Sequence, residues 1–431
     1  MDLEAILADV KEHEAEHIDL LRRGLKASFK DLAGFQSWIA EEMDRLGMQV
    51  EEFEVDPDEL LEQPAQRKTL REDPSALRQA PNVVGKVAGK TPGQGVLLFG
   101  HADKPPETYE WAKAYPDLVE EGGRLQGPGI ADDVAGLTSM LSAVETFKRL
   151  NLEPAGDILV ASTLGKQLGV FGTYGLVTRY GPVDAAIYAH PAESGNGLGD
   201  LKIASLGMIE FHVEVDGKSP ETTESHQVIF SKTGVSAAEK GFYLAQGLYD
   251  WARTIAQNDE YRHAGLEEQT GQSFAMSVGS FVTGTEGPVY EIPTHCEFDG
   301  VVNFPPAVSL AQMEEALKSA FDELAEADEW LADSHARIQW GDVIGESCQT
   351  EEGSPLLKAA RGTVTEVTGK TPRYDYGHSV SDIRYPILWW DAAAFGIGPV
   401  AGDMGTPTEY VEREEYLDTI TVLTELMREV A

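Results

Sequence analysis

At 431 residues, of which 42% are hydrophobic, the chain carries enough apolar material for two domains, or for one large domain with an insertion. Its 73 acidic against 34 basic side chains give a formal net charge of -39. This charge is spread along the chain and repels nucleic acid and anionic membrane, so neither is expected as a partner; it reads as a solvated or salt-adapted surface, with a cationic partner as the alternative.

Residues 1 to 29 place apolar side chains at helix spacing among charged ones, a helical pattern rather than a signal peptide. No apolar run approaches the roughly 20 residues that span a bilayer. Cys296 and Cys348 form no disulfide framework, so the expected compartment is reducing and cytoplasmic, with both thiols as small buried side chains. An acidic, turn-rich connection runs from Asp56 to Pro81.

Beyond it, NVVGKVAG and GVLLFGHAD have the pattern of strands, DDVAGLTSMLSAVETFKRL of a helix, DILVASTLG of a strand, FGTYGLVTRYG of a helix and DAAIYAHP of a strand. Such alternation predicts an α/β fold with a largely parallel sheet. Near Ser205 the rhythm changes. MIEFHVEVDG, SFAMSVGSFVTG and THCEFDGVVNF alternate like antiparallel strands, and two long helical patterns lie among them. From Ala336 the first style returns. The expected organisation is a discontinuous metal-binding catalytic domain, 1–204 and 331–431, with an inserted α+β lid and dimerisation domain at 205–330.

Ligands of open parallel sheets gather at the carboxyl ends of the strands. Three polar clusters fall there: His101 and Asp103 in GHAD, Asp132 and Asp133 in GPGIADD, and His190 in YAHP. His-x-Asp suits an imidazole ligand oriented by a carboxylate, here Asp103 acting from behind His101. Singly, each residue has a structural explanation, such as a helix cap; together they point to a metal.

These motifs resemble those of the co-catalytic zinc hydrolases that include acetylornithine deacetylase, succinyl-diaminopimelate desuccinylase, aminoacylase and the glutamate-releasing carboxypeptidases. GHAD at 100 to 103 is similar to their GHxD, GPGIADDV at 127 to 134 to their GRGxxDDK, and TPTEYV at 406 to 411 to their closing motif. The resemblance covers nearly the whole chain. It implies that His101, Asp132 and His190 hold one divalent transition metal per chain, manganese or zinc. It also implies a lid-mediated homo-oligomer built of dimers.

The other half of the family's site is altered. The general base and a ligand of the second metal fall on Lys166 and Gln167, and the last ligand on Gly405. Lys166 is an alternative base if burial strips its proton. The segment RYDYGHSVSDIRYP offers Tyr374, Tyr376 and His378 as ligand, acid or base, with Ser379 and Arg384 as contacts for a substrate carboxylate. The family's lid histidine falls near His226, and Asn303 stands where its lid arginine is usual.

A site with one metal and no carboxylate base suits a substrate that stabilises developing charge by itself. The resemblance extends to nitroaromatic aminohydrolases of this superfamily, and implies hydrolytic deamination of 5-nitroanthranilate to 5-nitrosalicylate and ammonia. The alternatives are an amidohydrolase of N-acyl amino acids or small peptides, and a catalytically silent binding protein. Metal-dependent turnover separates the enzymes from the last, and the product separates the enzymes from each other.

Overall fold

A computed structural model describes residues 3–56, 80–166, 171–191, 194–220, 222, 224–231, 233–285 and 291–431. Most of the connection expected from Asp56 to Pro81 lies outside these residues, as does Gln167. The chain forms two compact units, one running to Ala204 and resuming at Gln349, the other Ser205–Cys348.

The amino-terminal pattern resolves into three helices, α1 (Leu3–Glu12), α2 (Glu14–Ser28) and α3 (Leu32–Arg45). The Asp31 side chain caps α3 by accepting from the Gly34 N–H. Strands β1 (Gln49–Phe53), β2 (Asn82–Val87) and β3 (Thr91–His101) follow. Then come α4 (Ala135–Arg149), β4 (Gly156–Thr163), α5 (Phe171–Arg179), β5 (Ala185–Ala189) and β6 (Asp200–Lys202).

In the second unit, β7 (Gly207–Asp216), β8 (Ala275–Thr283), β9 (His295–Phe304) and β10 (Ala336–Gly345) form an antiparallel sheet in the order β8-β9-β7-β10. Burial alternates residue by residue along β7. This puts Ile209, Phe211, Val213 and Val215 into a core with α6 (Ala237–Ile255) and α7 (Leu310–Glu326). The sequence pattern returns to the style of the outer unit from Ala336, but β10 pairs with β7, so the insertion extends to Cys348 rather than ending at 330. A short alternating strand does not declare which sheet it joins; the pairing partner decides.

The outer unit resumes with α8 (Pro355–Thr368), β11 (Arg373–Asp375), α9 (Arg384–Trp390), β12 (Ala393–Ile397) and α10 (Arg413–Val430). Its main sheet has the order β1-β2-β4-β3-β5-β12-β6-β11. The central run β4-β3-β5-β12 is parallel, and β1, β2 and the single bridge from β12 to β6 are antiparallel. β4 and β5 are buried throughout, as strands covered on both faces must be. The parallel strands therefore end together. His101 closes β3 opposite Thr163 of β4, and the His190 N–H, just past β5, donates to Ile397 O at the end of β12, 3.0 Å away. Among the described residues no helix is long and apolar enough to cross a membrane.

Candidate metal centre

Two strand ends and one loop converge on a single point. His101 Nε2 lies 2.8 Å and His190 Nε2 3.2 Å from the same oxygen, Asp132 Oδ1. Both imidazoles are buried, with ring centroids 5.5 Å apart. Behind them the backbone sets the tautomer: His101 Nδ1 lies 3.1 Å from Asp103 O, and His190 Nδ1 2.9 Å from Pro191 O. A ring that donates from Nδ1 presents Nε2 towards Asp132, where a bound metal would take the place of the Nε2 proton. His101 Nε2 is a buried atom that makes no well-formed hydrogen bond even at that short distance. Two imidazole nitrogens and a carboxylate oxygen within 4.8 Å of one another fit a divalent transition metal.

Asp103 plays its part differently from the sequence expectation. Its carbonyl, not its carboxylate, is the nearer partner of His101; Asp103 Oδ1 stands 3.6 Å from Nδ1 and accepts the Lys166 N–H at 3.2 Å. The carboxylate therefore ties the loop after β3 to the loop after β4.

The Asp132 loop is gripped from outside by Glu409. Oε1 accepts the N–H groups of Ala131 (2.6 Å) and Asp132 (2.9 Å), and Oε2 accepts that of Gly405 (3.2 Å). Burial, and then the charge of Asp132, push the Glu409 carboxyl above its usual range against these three donors. Asp133 is buried and fixes the other ligand strand, its Oδ2 accepting the His101 N–H at 3.1 Å. Burial raises its carboxyl well above the ordinary range. Gly136 allows this loop to pack: a Cβ there falls 2.0 Å from Ala189 O and 2.2 Å from Asp133 Oδ1.

His101 and Asp132 bias one another. Burial alone pushes the imidazole down, yet Asp132 outweighs it and holds His101 well above its ordinary pKa. The same contact, against burial, holds Asp132 well below the carboxylate range. Two buried lysines complete the surroundings. Lys202 Nζ is 3.4 Å from His190 Nδ1 and donates to Pro191 O at 3.1 Å. Lys104 Nζ donates to Ser28 Oγ at 2.6 Å, and burial brings its amine down to about 8. The sequence reading passed over both; a lysine flanked by the apolar Leu201 and Ile203, and one directly after GHAD, were the available signals.

Where the family resemblance places a base and a second metal, a cation stands instead. Lys166 Nζ is 3.2 Å from Asp382 Oδ2 and donates to Val380 O at 3.4 Å. The Asp382 carboxylate is fully buried and also accepts from Thr173 Oγ1 at 2.6 Å. Burial would raise that carboxyl, but Lys166, His101 and the threonine outweigh it and hold it below the usual range. Lys166 is therefore half of an ion pair, and the alternative of a neutral lysine base is corrected by its partner. Gly405 contributes only its N–H to Glu409.

The other sequence candidates scatter. Tyr376 donates to Glu352 Oε1 (2.6 Å) and Tyr374 to the Glu352 carbonyl (3.0 Å), so both phenols face Glu352 rather than serving as metal ligand, acid or base. His378 and Ser379 are half-buried in the turn before α9, and His378 is not part of the ligand cluster. Arg384 is only 1% exposed; its Nη2 lies 3.2 Å from Tyr385 Oη, and its guanidinium carbon 4.9 Å from that ring's centre. In the inserted unit, His226 is a surface residue with a 67% exposed side chain near Glu224, and Asn303 lies within β9 opposite Met208.

Comparison with known proteins places this geometry. The model of Peptidase family M20/M25/M40 matches residues 97–429. The N-formyl-4-amino-5-aminomethyl-2-methylpyrimidine deformylase of Bacillus subtilis is 24% identical over 402 residues, covering 86% of this chain and 84% of that protein. Among solved structures, aminopeptidase PepT of Bacillus cereus superposes with a TM-score of 0.69 at 17% identity, covering 100% of this chain and 99% of its own. A Bacillus subtilis protein described as a dinuclear metal binding peptidase of the M20 family gives 0.59 at 12% identity, with 97% and 99% covered. These structures share the fold.

Proposed function

From the premise that the chain belongs to peptidase family M20/M25/M40, and is thus an enzyme of a metal-dependent hydrolase family, we propose that it hydrolyses a C–N bond in a small carboxylate-bearing substrate through a single metal. The observation that carries this reading is the Lys166–Asp382 ion pair at the position where the family's base and second metal are expected.

A divalent ion held by His101, Asp132 and His190 supplies Lewis acidity towards water and a substrate oxygen. The residues around it present two imidazole nitrogens and one carboxylate, and hold the Asp132 loop through Glu409. None of the described side chains at the Lys166 position acts as a carboxylate base. This arrangement favours a substrate that carries the developing charge in its own π system. The specific reaction proposed is the deamination of 5-nitroanthranilate: water adds at the carbon bearing the amine, the nitro group takes up the charge, and ammonia leaves with 5-nitrosalicylate as the second product.

A second reading draws on the relatives. The similarity to N-formyl-pyrimidine deformylases over most of the chain favours hydrolysis of a small formamide, releasing formate.

The deciding experiment is product analysis with metal-stripped protein, with and without added manganese or zinc. Metal-dependent ammonia release from 5-nitroanthranilate upholds the first reading. Formate from an N-formyl amine, without ammonia from the nitroaromatic, moves the assignment to the second. Turnover that survives metal removal refutes both.

A further inference from the structure

Lys166 is held from three sides. Its backbone N–H donates to Asp103 Oδ1 at 3.2 Å, two residues beyond the ligand His101. Its ammonium faces Asp382 Oδ2 and Val380 O, and it lies 5.7 Å from the centre of the Tyr188 ring. That ring stacks on His190 with centroids 5.0 Å apart. Lys166 is thus referenced to both histidine ligands without touching either.

Asp382 is built to hold one cation. It is 1% exposed, one oxygen is taken by Thr173, and an unpartnered carboxylate at such depth is costly. The Lys166 ammonium donates to Val380 O and faces Asp382 Oδ2 as an ion pair at 3.2 Å, without a well-formed hydrogen bond to that oxygen. Its side chain keeps 16% of its exposure while its partner keeps 1%. A cation paired with a buried carboxylate, and keeping some surface of its own, has the form of an anion receptor. Arg384, expected from the sequence to clamp a carboxylate, is closed off at 1% exposure and packed on Tyr385.

We infer that the Lys166 ammonium, positioned by Asp382, binds the carboxylate of the substrate in place of a second metal. This rests on the single-metal reading above. Lys166 is then a binding and specificity residue, and Asp382 a positioning residue acting through it.

The test uses manganese-loaded full-length protein and two non-reacting fluorescent probes of equal shape, anthranilate and 2-aminobenzamide, with metal content measured in parallel. The unaltered protein should prefer the carboxylate by about 10- to 100-fold, the range for one charge-assisted hydrogen bond. Lys166→Met should abolish the preference with one metal per chain retained, and Lys166→Arg should restore part of it. Because Lys166→Met strands Asp382, the double variant Lys166→Met/Asp382→Asn, which removes both charges, serves where the single variant does not fold.

Preference retained in Lys166→Met or in the double variant overturns the inference, as does failure of the unaltered protein to bind anthranilate. Two metals per chain, or no ammonia from 5-nitroanthranilate, overturns the functional reading. A carboxylate preference that still follows Lys166 in that case leaves the anchor standing by itself.

Discussion

Glu409 offers a test of the site that touches no ligand atom. Its carboxylate collects three backbone N–H groups, two of them from Ala131 and Asp132 and the third from Gly405. In Glu409→Gln the amide oxygen can keep the first two, but the amide nitrogen then faces the Gly405 N–H, donor against donor. Hydrogen bonds to an ionised acceptor contribute about 1.5–3 kcal/mol and neutral ones about 0.5–1.5 kcal/mol, so the two weakened bonds amount to roughly 2–3 kcal/mol and the third is lost outright. One effect runs the other way: removing the charge relieves the repulsion from Asp132 that lifts the Glu409 carboxyl. The bonds set where Asp132 Oδ1 stands, and the repulsion is diluted once a cation shares Asp132, so the loss wins. The expected result is a 10- to 100-fold weaker affinity for manganese, about 1.4–2.8 kcal/mol, in a chelator competition titration with the fold unchanged by circular dichroism. An affinity within about threefold of the unaltered protein, or a tighter one, would refute the reasoning.

Gly136→Ala should also disturb the metal site from outside, because a Cβ there meets Ala189 O and Asp133 Oδ1; elemental analysis of the purified variant should show substoichiometric metal. His190→Ala leaves two of three ligands and should reduce bound metal to background after dialysis, while the buried site keeps the chain folded. His17 is a separate, structural case: it is buried in α2 with no hydrogen-bond partner among the described residues on either ring nitrogen, and burial, aided by Arg149, lowers its pKa to about 4 from 6.5. The unfolded chain therefore takes up a proton first as pH falls, so stability drops between about 6.5 and 4 by roughly 3 kcal/mol, and His17→Leu should flatten that part of a denaturation-against-pH curve.

Much of the scaffold was legible because each element repeats its period. The buried runs DILVAST and AAIYA, the strict alternation of MIEFHVEVD and the helical spacing of α10 leave little choice of element type. The convergence of His101, Asp132 and His190 was legible for a related reason: strand ends in a parallel sheet must meet, so polar residues at the ends of β3 and β5 have to face one another. The residues that misled are those whose role depends on a neighbour distant in sequence. Tyr374 and Tyr376 look like site residues until Glu352 takes their hydroxyls. Arg384 looks like a clamp until α9 buries it against Tyr385. Lys166 has two meanings, base or cation, and only Asp382, 216 positions further on, chooses between them.

That choice bears on how such a site can change. Restoring a carboxylate at 166 alone brings it against Asp382, a buried anion whose second oxygen is already committed to Thr173. Like charges at such a distance in a site of low polarity cannot both stay ionised, so Lys166→Glu loses an ion pair and gains a repulsion before any metal arrives. The missing ligand side chain at Gly405 compounds the problem, since its φ of +70° is one that a histidine adopts only with strain. On the single-metal reading the lysine and the glycine act together: the first sets a fixed charge where the family resemblance puts a second metal, and the second offers that metal no side chain. Lys166→Glu should accordingly lower the melting temperature and leave metal content at one per chain or below. Two tightly held ions in that variant would show that Asp382 and Gly405 do not constrain the site in this way.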